Sequence, residues 1–553
     1  MIPNQIHAAT RKPKPKPEQG FSIMSMTFDF PYPSQRMPVM ARNMVATSQP
    51  LASQAGLRML MQGGNAVDAA LATAIALTVV EPTGNGLGSD AFAILHDGKG
   101  LHGLNASGRA PAAWTPERFA GQEAMPERGW DAVTVPGAVS AWVSLSERFG
   151  RLPFEALFEP AITYADKGYA VTPIIAQLWA NGARVLKEQP GFAEAFMPEG
   201  RAPKAGELYS NAAMGRSLRL IAETRGQAFY SGELAEKMVA FAGRHGGALS
   251  IEDLASHEPF WCETVSKDYH GVEAHEIPPN GQGIAALIAL GILEHTSVYD
   301  HGVDSVAGLH LQIEAMKLAL AEVYAHVSDP ETMEIAPEQM LAPDYLKARA
   351  QEIDPKKAGD PGHAIPRPGG TVYITAADAS GAMVSFIQSN YQGFGSGVVV
   401  PETGISLQNR GSGFRLDANH PNSVGPRKLP FHTIIPGFLT RGGQPLTSYG
   451  VMGGPMQAQG HVQMVLRMLD YGQTPQTASD APRWRVTGGR RVAMEQTFPA
   501  ETLDGLRALG HVITVEPPEA AFGFGGAQLI HRMDNGIYIA GSDHRKDGQA
   551  VGF

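Results

Sequence analysis

A segment rich in proline, glycine and charge lies in the middle of the chain and ends directly at a predicted β-strand. It runs from Ile353 to Gly370 (IDPKKAGDPGHAIPRPGG) and offers almost no side chain that a core could bury. This composition is typical of an exposed, mobile loop. The following residues, Thr371 to Ala376 (TVYITA), are mostly β-branched or aromatic, which predicts a strand. Any fold of this chain must therefore place a flexible loop immediately before a strand whose first residue is a threonine.

The residues after this strand predict a β-hairpin. Asp378 to Gly381 have turn composition, and a second apolar run from Met383 to Ile387 completes the pair. Beyond it the chain is rich in glycine and in predicted strands, with one clear helix from Met456 to Tyr471. We therefore expect an antiparallel pair of strands that begins at Thr371.

The sequence before the loop is predicted to be mainly helical. From Ser48 to Met61 apolar residues recur at helical spacing, with Ser48 as candidate cap and Pro50 in the first turn, where proline is tolerated. Gly63-Gly64 ends that helix. A second helix from Asn65 to Val80 is apolar on nearly every face, which predicts complete burial.

Helical patterns continue through the middle of the chain, about residues 151–343. The strongest apolar runs extend from Ile284 to Leu293 and from Val306 to Ala325. Together with the strands near the C-terminus, they fit one large sheet-and-helix unit as well as several smaller domains.

Length, charge and cysteine content exclude several classes of protein. The chain has 553 residues, 43% of them hydrophobic, and a net charge of -10, so it can bury a large core without crosslinks. The acidic balance argues against a nucleic-acid partner, because phosphate binding needs clustered Lys and Arg. The basic cluster from Arg11 to Lys16 is proline-rich and is interpreted as a solvated tail. Cys262 is the only cysteine, so neither an intrachain disulfide nor a cysteine-based metal site can form.

The sequence predicts no membrane-spanning or export segment. No stretch approaches the roughly 20 apolar residues that span a bilayer. The N-terminus lacks the apolar core and cleavage site of a secretory signal. We therefore expect a cytoplasmic protein with no membrane partner, preceded by a disordered extension over residues 1–40.

A threonine that becomes N-terminal can act as a nucleophile without a separate base. Its own α-amine accepts the hydroxyl proton, and an α-amine titrates near ~7.7–8.0, where a general base is effective at neutral pH. Before cleavage, the Thr371 hydroxyl can attack the carbonyl of Gly370, and Gly369-Gly370 permit the backbone geometry that this step needs. Gly-Gly-Thr also begins many hairpins with no such role, so the motif alone leaves both interpretations open.

Short motifs of unusual composition follow one another in a fixed order along the chain. They are MVA at 44–46, GGNAVDAA at 63–70, TGNGLGSDAF at 83–92, TVPG at 134–137, PPNGQG at 278–283, EAMK at 314–317, PGGTVYITAAD at 368–378, GPRKLP at 425–430 and GSDHR at 541–545. This series resembles the γ-glutamyltransferase family of N-terminal-nucleophile hydrolases, and the GGNAVDAA string is highly specific for it.

The resemblance implies an α/β (α+β) fold, a four-layer αββα sandwich with helices on both outer faces. It implies a precursor that cuts itself between Gly370 and Thr371 into a large subunit, 41–370, and a small subunit, 371–553, which remain partners. Thr371 would be the nucleophile and, through its freed amine, the base, while the N–H groups of Gly453 and Gly454 would form the oxyanion hole. No cofactor or metal would be required. Assembly of such two-subunit units into a larger homo-oligomer is left open.

The expected substrate pocket departs from the family pattern. Where γ-glutamyl enzymes carry an arginine for the substrate α-carboxylate, this chain has Ser107, and Arg109 follows two residues later. On a strand a shift of two keeps the same face, so Arg109 could still clamp a carboxylate; an ordinary surface arginine is the alternative. The aspartate that holds the α-amino group is replaced by Gly413, and Arg410 adds positive charge nearby.

Four further residues are candidates for the pocket. His432-Thr433 replace the pair of serines that follows the GPRKLP block, and a purely structural histidine is the alternative. Ser389 and Asn390 are candidates for hydrogen bonds to the nucleophile or the substrate. Gln388 is a candidate for a hydrogen bond to the nucleophile.

The segment between Phe414 and Gly425 is short, where many relatives carry a lid over the acyl group. An uncovered acyl-enzyme favours hydrolysis over transfer to an amine. We therefore predict an amidohydrolase for small amides with a carboxylate, of the γ-glutamyl (glutathione-like) or glutaryl type. Amides of the cephalosporin acylase or oxamate type, and a catalytically inactive scaffold, are the alternatives.

Two other hydrolase classes lack their sequence signatures. The chain has no G-x-S-x-G nucleophile elbow. His270, His275 and Glu276 are close in sequence but do not form a helical H-E-x-x-H zinc motif.

Overall fold

Two seven-stranded sheets stack face to face and carry helices on both outer faces. The computed structural model describes residues 36–362, 370–517 and 523–553. The predicted four-layer αββα sandwich is therefore confirmed. Most of the predicted N-terminal extension (residues 1–35) and part of the predicted loop (363–369) lie outside the described residues.

The strands of the described ranges form both large sheets and three small ones. They are β1 Val39–Ala41, β2 Met44–Thr47, β3 Asp90–His96, β4 Leu101–Asn105, β5 Tyr169–Ala170, β6 Leu208–Tyr209, β7 Phe260–Cys262, β8 Val265–Tyr269, β9 Val272–Glu276, β10 Gly370–Ala377, β11 Met383–Tyr391, β12 Val399–Val400, β13 Ile405–Ser406, β14 Gly437–Arg441, β15 Gln444–Met452, β16 Trp484–Gly488, β17 Arg491–Glu495, β18 Val512–Glu516, β19 Gly526–Arg532, β20 Tyr538–Ser542 and β21 Gln549–Gly552. Sheet I has the order β21-β2-β10-β11-β3-β4-β7, and sheet II has the order β1-β20-β19-β15-β14-β9-β8.

Most of the helices come before β10 in the chain, as the sequence predicts. They are α1 Pro50–Met61, α2 Ala66–Val80, α3 Ala138–Phe149, α4 Glu159–Lys167, α5 Pro173–Leu186, α6 Phe192–Phe196, α7 Ala212–Thr224, α8 Gln227–Tyr230, α9 Glu233–Arg244, α10 Ile251–Ala255, α11 Ile284–Leu293, α12 Val306–His326, α13 Pro337–Met340, α14 Pro343–Ala350, α15 Met456–Leu469, α16 Pro475–Asp480 and α17 Ala500–Ala508. In the described ranges, none of these helices combines the length and the apolar composition that a bilayer crossing requires.

Three apolar layers hold the sandwich together. Between the sheets lie side chains such as Phe92, Tyr373 and Met452. Helices α1 and α2 pack on the outer face of sheet I, and α11, α15 and α16 pack on that of sheet II. Every residue of α2 is buried, as its uninterrupted apolar composition predicts. The central strands are thus covered on both faces.

The first helix begins with a different cap from the one predicted. Gln49, not Ser48, is the N-cap of α1, and its side chain accepts the hydrogen bond from the Ala52 N–H. Ser48 instead donates its hydroxyl to Glu81. The prediction was wrong because Ser48 has a buried carboxylate partner that is distant in sequence. Pro50 occupies the first helical position, as expected.

The predicted hairpin is present, and its second strand is longer than expected. Strands β10 and β11 pair antiparallel with Ile374 opposite Phe386. The prediction ended at Ile387, whereas β11 continues to Tyr391. The extension was missed because its residues, QSNY, are polar, and only tertiary hydrogen bonds satisfy them inside a covered sheet.

A buried ion pair on α12 holds the chain at Gly359, inside the segment 353–370 that the sequence predicts as a loop. Lys317 Nζ donates to Glu314 Oε1 at 2.8 Å and to the carbonyl of Gly359 at 3.0 Å. Glu314 Oε2 accepts the N–H of Gly359 at 2.9 Å. Both side chains are buried, and both belong to the EAMK motif. The motif therefore fixes Gly359, eleven residues before β10 begins at Gly370.

Replacing Lys317 with Met should leave the Glu314 carboxylate buried without its partner. Removing one member of a buried pair typically costs about 3–5 kcal/mol, so we expect the free energy of unfolding in urea to fall by about that amount. The Glu314→Gln/Lys317→Met double variant should recover part of the loss, because no buried charge stays unpaired. A single variant as stable as the parent protein would contradict this assignment.

Candidate active site

Thr371 lies at the start of β10, a central strand of sheet I. Its side chain is buried, and its Oγ1 donates to the carbonyl oxygen of Gly370 at 2.7 Å. The Thr371 backbone packs against Gly84, where an added Cβ would lie 3.3 Å from the Thr371 carbonyl oxygen. Close packing thus fixes the hydroxyl beside the carbonyl of the peptide bond that precedes it.

Ser389 is the polar side chain of β11 that contacts Thr371. Its Oγ lies 3.1 Å from Thr371 Oγ1 and donates to the carbonyl oxygen of Gly370 at 2.8 Å. The backbone N–H of Tyr391 donates to Ser389 Oγ at 2.7 Å, which fixes the orientation of the serine. Ser389 can therefore polarise the Gly370 carbonyl while touching the hydroxyl that would attack it.

The neighbours of Ser389 on β11 have other hydrogen-bond partners. Asn390 accepts from Ser89 Oγ at 2.8 Å and donates to Ser406 Oγ at 3.1 Å. Gln388 points to the opposite face of the strand and donates to the carbonyl of Ala74 on α2. Because side chains alternate between the two faces of β11, Ser389 is the residue of this strand that contacts the Thr371 hydroxyl.

Gly453 and Gly454 follow the end of β15 in sheet II, and two contacts locate that end relative to β10. Thr375 Oγ1 hydrogen-bonds to Ser448 Oγ, and an added Cβ on Gly450 would lie 2.4 Å from ring atoms of Tyr373. Moving two residues back along β10, from Thr375 to Tyr373, corresponds to moving two residues forward along β15, from Ser448 to Gly450. Continuing in the same way, Thr371 lies opposite the last residues of β15.

Backbone geometry at this turn requires glycine. The φ angles of Gly453 and Gly454 are 135° and 62°, a region that side chains disfavour. The carbonyl of Gly454 accepts a hydrogen bond from Gln282 Nε2 at 2.9 Å. The same Gln282 nitrogen donates to the carbonyl of Thr433 at 2.6 Å. This bridge ties the glycine pair to the His432-Thr433 segment.

Arg410 is a buried cation in the same network. Its Nη1 donates to Thr433 Oγ1 at 2.9 Å, and its guanidinium carbon lies 4.2 Å from the centre of the Tyr391 ring. Burial lowers the pKa of the guanidinium to about 10, so it stays charged at neutral pH. Among the described residues, its Nε and Nη2 have no hydrogen-bond partner. Two charged donors are thus left available for an anion.

Asp90 and His432 form a buried pair between the two sheets. Asp90 lies opposite Ser389 in the pairing of β3 with β11, and its Oδ2 is 3.0 Å from His432 Nε2. Burial raises the pKa of Asp90 to about 7, although the charge of Arg410 acts in the opposite direction. Burial, followed by the charge of Arg410, holds the pKa of His432 well below its usual range.

Sequence reasoning did not identify Asp90. The available signal was an acid within the TGNGLGSDAF string, at the head of an otherwise apolar strand. An isolated carboxylate in such a strand must find a partner in the fold. The partner, His432, lies 342 residues later in the chain and could not be assigned from spacing.

The prediction that Arg109 lies on a strand was wrong. Strand β4 ends at Asn105, so the rule that a shift of two keeps the same face does not apply. Arg109 Nη1 lies 3.2 Å from Asp329 Oδ2 and donates to the carbonyl of Arg427 at 2.9 Å. Ser107, at the family's arginine position, is buried and hydrogen-bonded to Asn105. Arg109 therefore forms a partly exposed ion pair with Asp329.

The family model described as gamma-glutamyltranspeptidase matches residues 52–553. The chain belongs to this family. The glutathione hydrolase-like YwrD proenzyme of Bacillus subtilis is 38% identical over 524 residues, which are 93% of this chain and 98% of the relative. The oxamate amidohydrolase proenzyme of Klebsiella pneumoniae is 35% identical over 528 residues, 93% of this chain and 99% of the relative.

A solved structure of the family has the same fold over nearly the whole chain. The cephalosporin acylase of Bacillus halodurans superimposes with a TM-score of 0.90 at 48% identity, covering 96% of this chain and 99% of the other. The chain is thus a hydrolytic enzyme of the N-terminal-nucleophile class, with the αββα architecture of the γ-glutamyltranspeptidases and acylases.

Within the described residues, one group of side chains has the spacing of a metal site, and it lies outside the cluster around Thr371 and Arg410. The candidate ligand atoms of His310, Glu314 and His511 are within 4.8 Å of one another. Lys317 Nζ lies 2.8 Å from Glu314 and 3.5 Å from His511 Nδ1, so the cluster already contains a cation.

The residues considered for a zinc motif separate in the structure. His275 and Glu276 point to opposite faces of β9. His275 Nε2 contacts Thr440 Oγ1, and Glu276 Oε1 contacts His461 Nδ1. They therefore do not converge on one point.

Gly450→Ala should destabilise the protein, because the new Cβ would overlap the Tyr373 ring. Overpacking of this kind costs about 1–3 kcal/mol, and the loss should appear as a lower melting temperature in a thermal scan. Gly243→Ala on α9 is the matched control, since no atom lies within 4 Å of its added Cβ. If both variants melted with the parent protein, the placement of β15 against β10 would be incorrect.

Proposed function

We propose that this chain is a precursor that cuts its own Gly370–Thr371 bond and then uses Thr371 to hydrolyse amides whose acyl group carries a carboxylate. The observation that carries the proposal is the hydrogen-bonded group of Thr371 Oγ1, Ser389 Oγ and the Gly370 carbonyl oxygen, with separations of 2.7–3.1 Å. The relatives named proenzymes support self-processing.

The cleavage step uses groups already in place. Thr371 Oγ1 attacks the carbonyl carbon of Gly370, and the proton of Ser389 Oγ stabilises the charge that develops on the carbonyl oxygen. The C–N bond of the peptide breaks as the ester C–O bond forms, and the proton of the Thr371 hydroxyl passes to the departing nitrogen. Water then hydrolyses the ester. The products are the subunits 41–370 and 371–553, with residues 1–40 preceding the first, and a free amine on Thr371.

Catalysis by the mature enzyme follows from the freed amine. An α-amine titrates near ~7.7–8.0 and can accept the hydroxyl proton of its own residue. The substrate carbonyl would lie between Thr371 and the turn at Gly453-Gly454, whose N–H groups would stabilise the oxyanion. The leaving amine departs, and water resolves the acyl-enzyme.

Arg410 supports recognition of an anionic acyl group. Its Nε and Nη2 are buried without a partner among the described residues, and a carboxylate can accept from both. The Tyr391 ring stacks on Arg410, and the Tyr391 N–H orients Ser389. Tyr391 thus contacts both the proposed anion site and the residue beside the nucleophile. In this arrangement Thr433 and His432 line the pocket, and Asn390 supports it through its two serine partners.

The acyl group we favour lacks a recognised α-amine. Gly413 supplies no carboxylate at the position where the family holds that amine, and its carbonyl already accepts from Asn422 Nδ2 at 2.7 Å. A glutaryl-type acyl group would place its carboxylate on Arg410, and the similar structure named cephalosporin acylase, at 48% identity, supports an acylase activity. The γ-glutamyl alternative is supported by the relative named glutathione hydrolase-like.

Hydrolysis is favoured over transfer. The segment from Phe414 to Gly425 turns back on itself through a bridge between Arg415 and Ser423, and its short length leaves little chain for a lid. An exposed acyl-enzyme reacts with water before an acceptor amine can bind.

The purified protein should separate into two bands near 40 and 20 kDa on a denaturing gel, from ~110 Da per residue. Thr371→Ala should give one full-length band, because the attacking hydroxyl is gone. Ser389→Ala should cleave about 100-fold more slowly, as expected for the loss of one oxyanion donor. Ser389→Thr, which keeps a hydroxyl, is the control. A parent protein that never converts would favour the scaffold alternative.

Arg410→Gln should lower kcat/KM for glutaryl p-nitroanilide by about 10- to 150-fold, the equivalent of one charged hydrogen bond of about 1.5–3 kcal/mol. The neutral butyryl p-nitroanilide should be hydrolysed equally by both enzymes. Arg109→Gln is the matched control and should behave as the parent. A loss in Arg109→Gln but not in Arg410→Gln would assign the anion site to Arg109.

The same assay distinguishes the two acyl classes. We expect glutaryl p-nitroanilide to be preferred over γ-glutamyl p-nitroanilide, with little transfer to glycylglycine. A strong preference for the γ-glutamyl compound, with efficient transfer, would contradict the proposed specificity.

A further inference from the structure

The pair formed by Asp90 and His432 is a feature that the proposed chemistry does not use. Asp90 Oδ1 accepts from the N–H groups of Gly108 and Gly137 at 3.3 and 3.2 Å. Its Oδ2 lies 3.0 Å from His432 Nε2, and an ionised Asp90 accepts the Nε2–H of a neutral imidazole at that distance. Both side chains are completely buried. The carboxylate is thus held firmly, and no part of it is available to a ligand ammonium.

The position of this pair connects it to both parts of the site. Along sheet I, Asp90 lies beside Ser389, and Ser389 contacts Thr371. From the other side, His432 is followed by Thr433, which binds Arg410. Asp90 and Arg410 influence each other electrostatically in both directions. Asp90 is therefore the negative charge that balances Arg410 while no substrate is present.

We propose that Asp90 is an exchangeable counter-ion: when an acyl carboxylate binds Arg410, the Asp90–His432 pair takes up one proton from solvent. This inference rests on the proposed role of Arg410 as the anion site. The carboxylate of the ligand replaces Asp90 as the negative partner of the guanidinium, and the proton neutralises Asp90. The pair thereby makes Asp90 a specificity-determining residue that favours anionic acyl groups at neutral and lower pH.

The electrostatic argument is that two carboxylates in one desolvated site do not both remain ionised. Near neutral pH Asp90 is already close to protonation, with a pKa of about 7 raised by burial. A second anion nearby raises this pKa further, so binding and protonation are linked. The sign follows directly: affinity for the anion is highest below about pH 7 and falls as pH rises through the pKa of the bound state.

Several other titratable groups face the pair or its neighbours, and those with displaced pKa values titrate outside this range. Arg410 has a pKa of about 10, and burial raises the pKa values of the phenols of Tyr391 and Tyr230. His257, beside Arg109, has a pKa of about 4 because of burial. Glu127 lies near Tyr391. In the mature enzyme the α-amine of Thr371 titrates near ~7.7–8.0, so the experiment must separate it from Asp90.

The test uses the mature enzyme and butyrate, which matches the tail of a glutaryl group but lacks its reactive carbonyl. Calorimetric titration at pH 7.5 in two buffers with different ionisation enthalpies measures the protons taken up. We expect about half a proton per butyrate, from an Asp90 pKa near 7 that rises by at least one on binding. The Kd should weaken by up to about tenfold per pH unit above pH 7.

Asp90→Asn isolates the pair from the Thr371 amine. This variant should bind butyrate without the proton uptake and with a nearly flat pH profile, because the amine is retained but Asp90 can no longer titrate. Butan-1-ol, the neutral counterpart, should cause no uptake in either enzyme. If Asp90→Asn does not fold, infrared difference spectra of the parent enzyme should still show a protonated carboxyl band appearing with butyrate.

The outcomes separate this inference from the proposed function. Butyrate binding that requires Arg410, tested with Arg410→Gln, but occurs without proton uptake or an acid band would overturn the role of Asp90 alone. Equal uptake in the parent and in Asp90→Asn would do the same. Failure of butyrate to bind, or undiminished binding to Arg410→Gln, would overturn the anion site and, with it, the role of Asp90.

Discussion

The contact between the Thr371 hydroxyl and the carbonyl of the residue before it is the constraint on which the site depends. Strand pairing places Ser389 against both groups. The glycines at positions 84 and 450 let a loop and the second sheet approach β10 more closely than a side chain would allow. A fold that covers β10 on both faces thus holds a reactive geometry without a dedicated base.

Buried charge is the second requirement of this site. Arg410 has one direct hydrogen bond, an aromatic face and the nearby Asp90 to offset its desolvation. Such an arrangement is costly for stability alone, and its two unpaired donors are the basis on which we propose an anion site. The pair of Asp90 with His432 joins sheet I to the segment that precedes β14, at the same place. The proposed anion site and this buried contact of the fold therefore belong to one cluster.

The sequence predicts the architecture better than the pocket. Local composition identifies α2 and the hairpin from Thr371, because each requirement lies within a few residues, whereas the glycine pair at 453–454 was assigned from the family resemblance. Ser48 and Arg109 were misassigned for the opposite reason: their partners, Glu81 and Asp329, are distant in the chain. Asp90 was missed because its partner, His432, lies 342 residues later in the chain, in the segment before β14. Pairing across layers cannot be obtained from spacing alone.

The central claim is that the side chain at the new N-terminus forms the covalent intermediate. Mass spectrometry of the mature enzyme quenched during turnover of a slowly hydrolysed glutaryl amide tests it directly. The account predicts a small subunit that begins at Thr371 and carries one glutaryl group as an ester on that residue. A terminus at another residue, or an adduct on a different side chain, would contradict it.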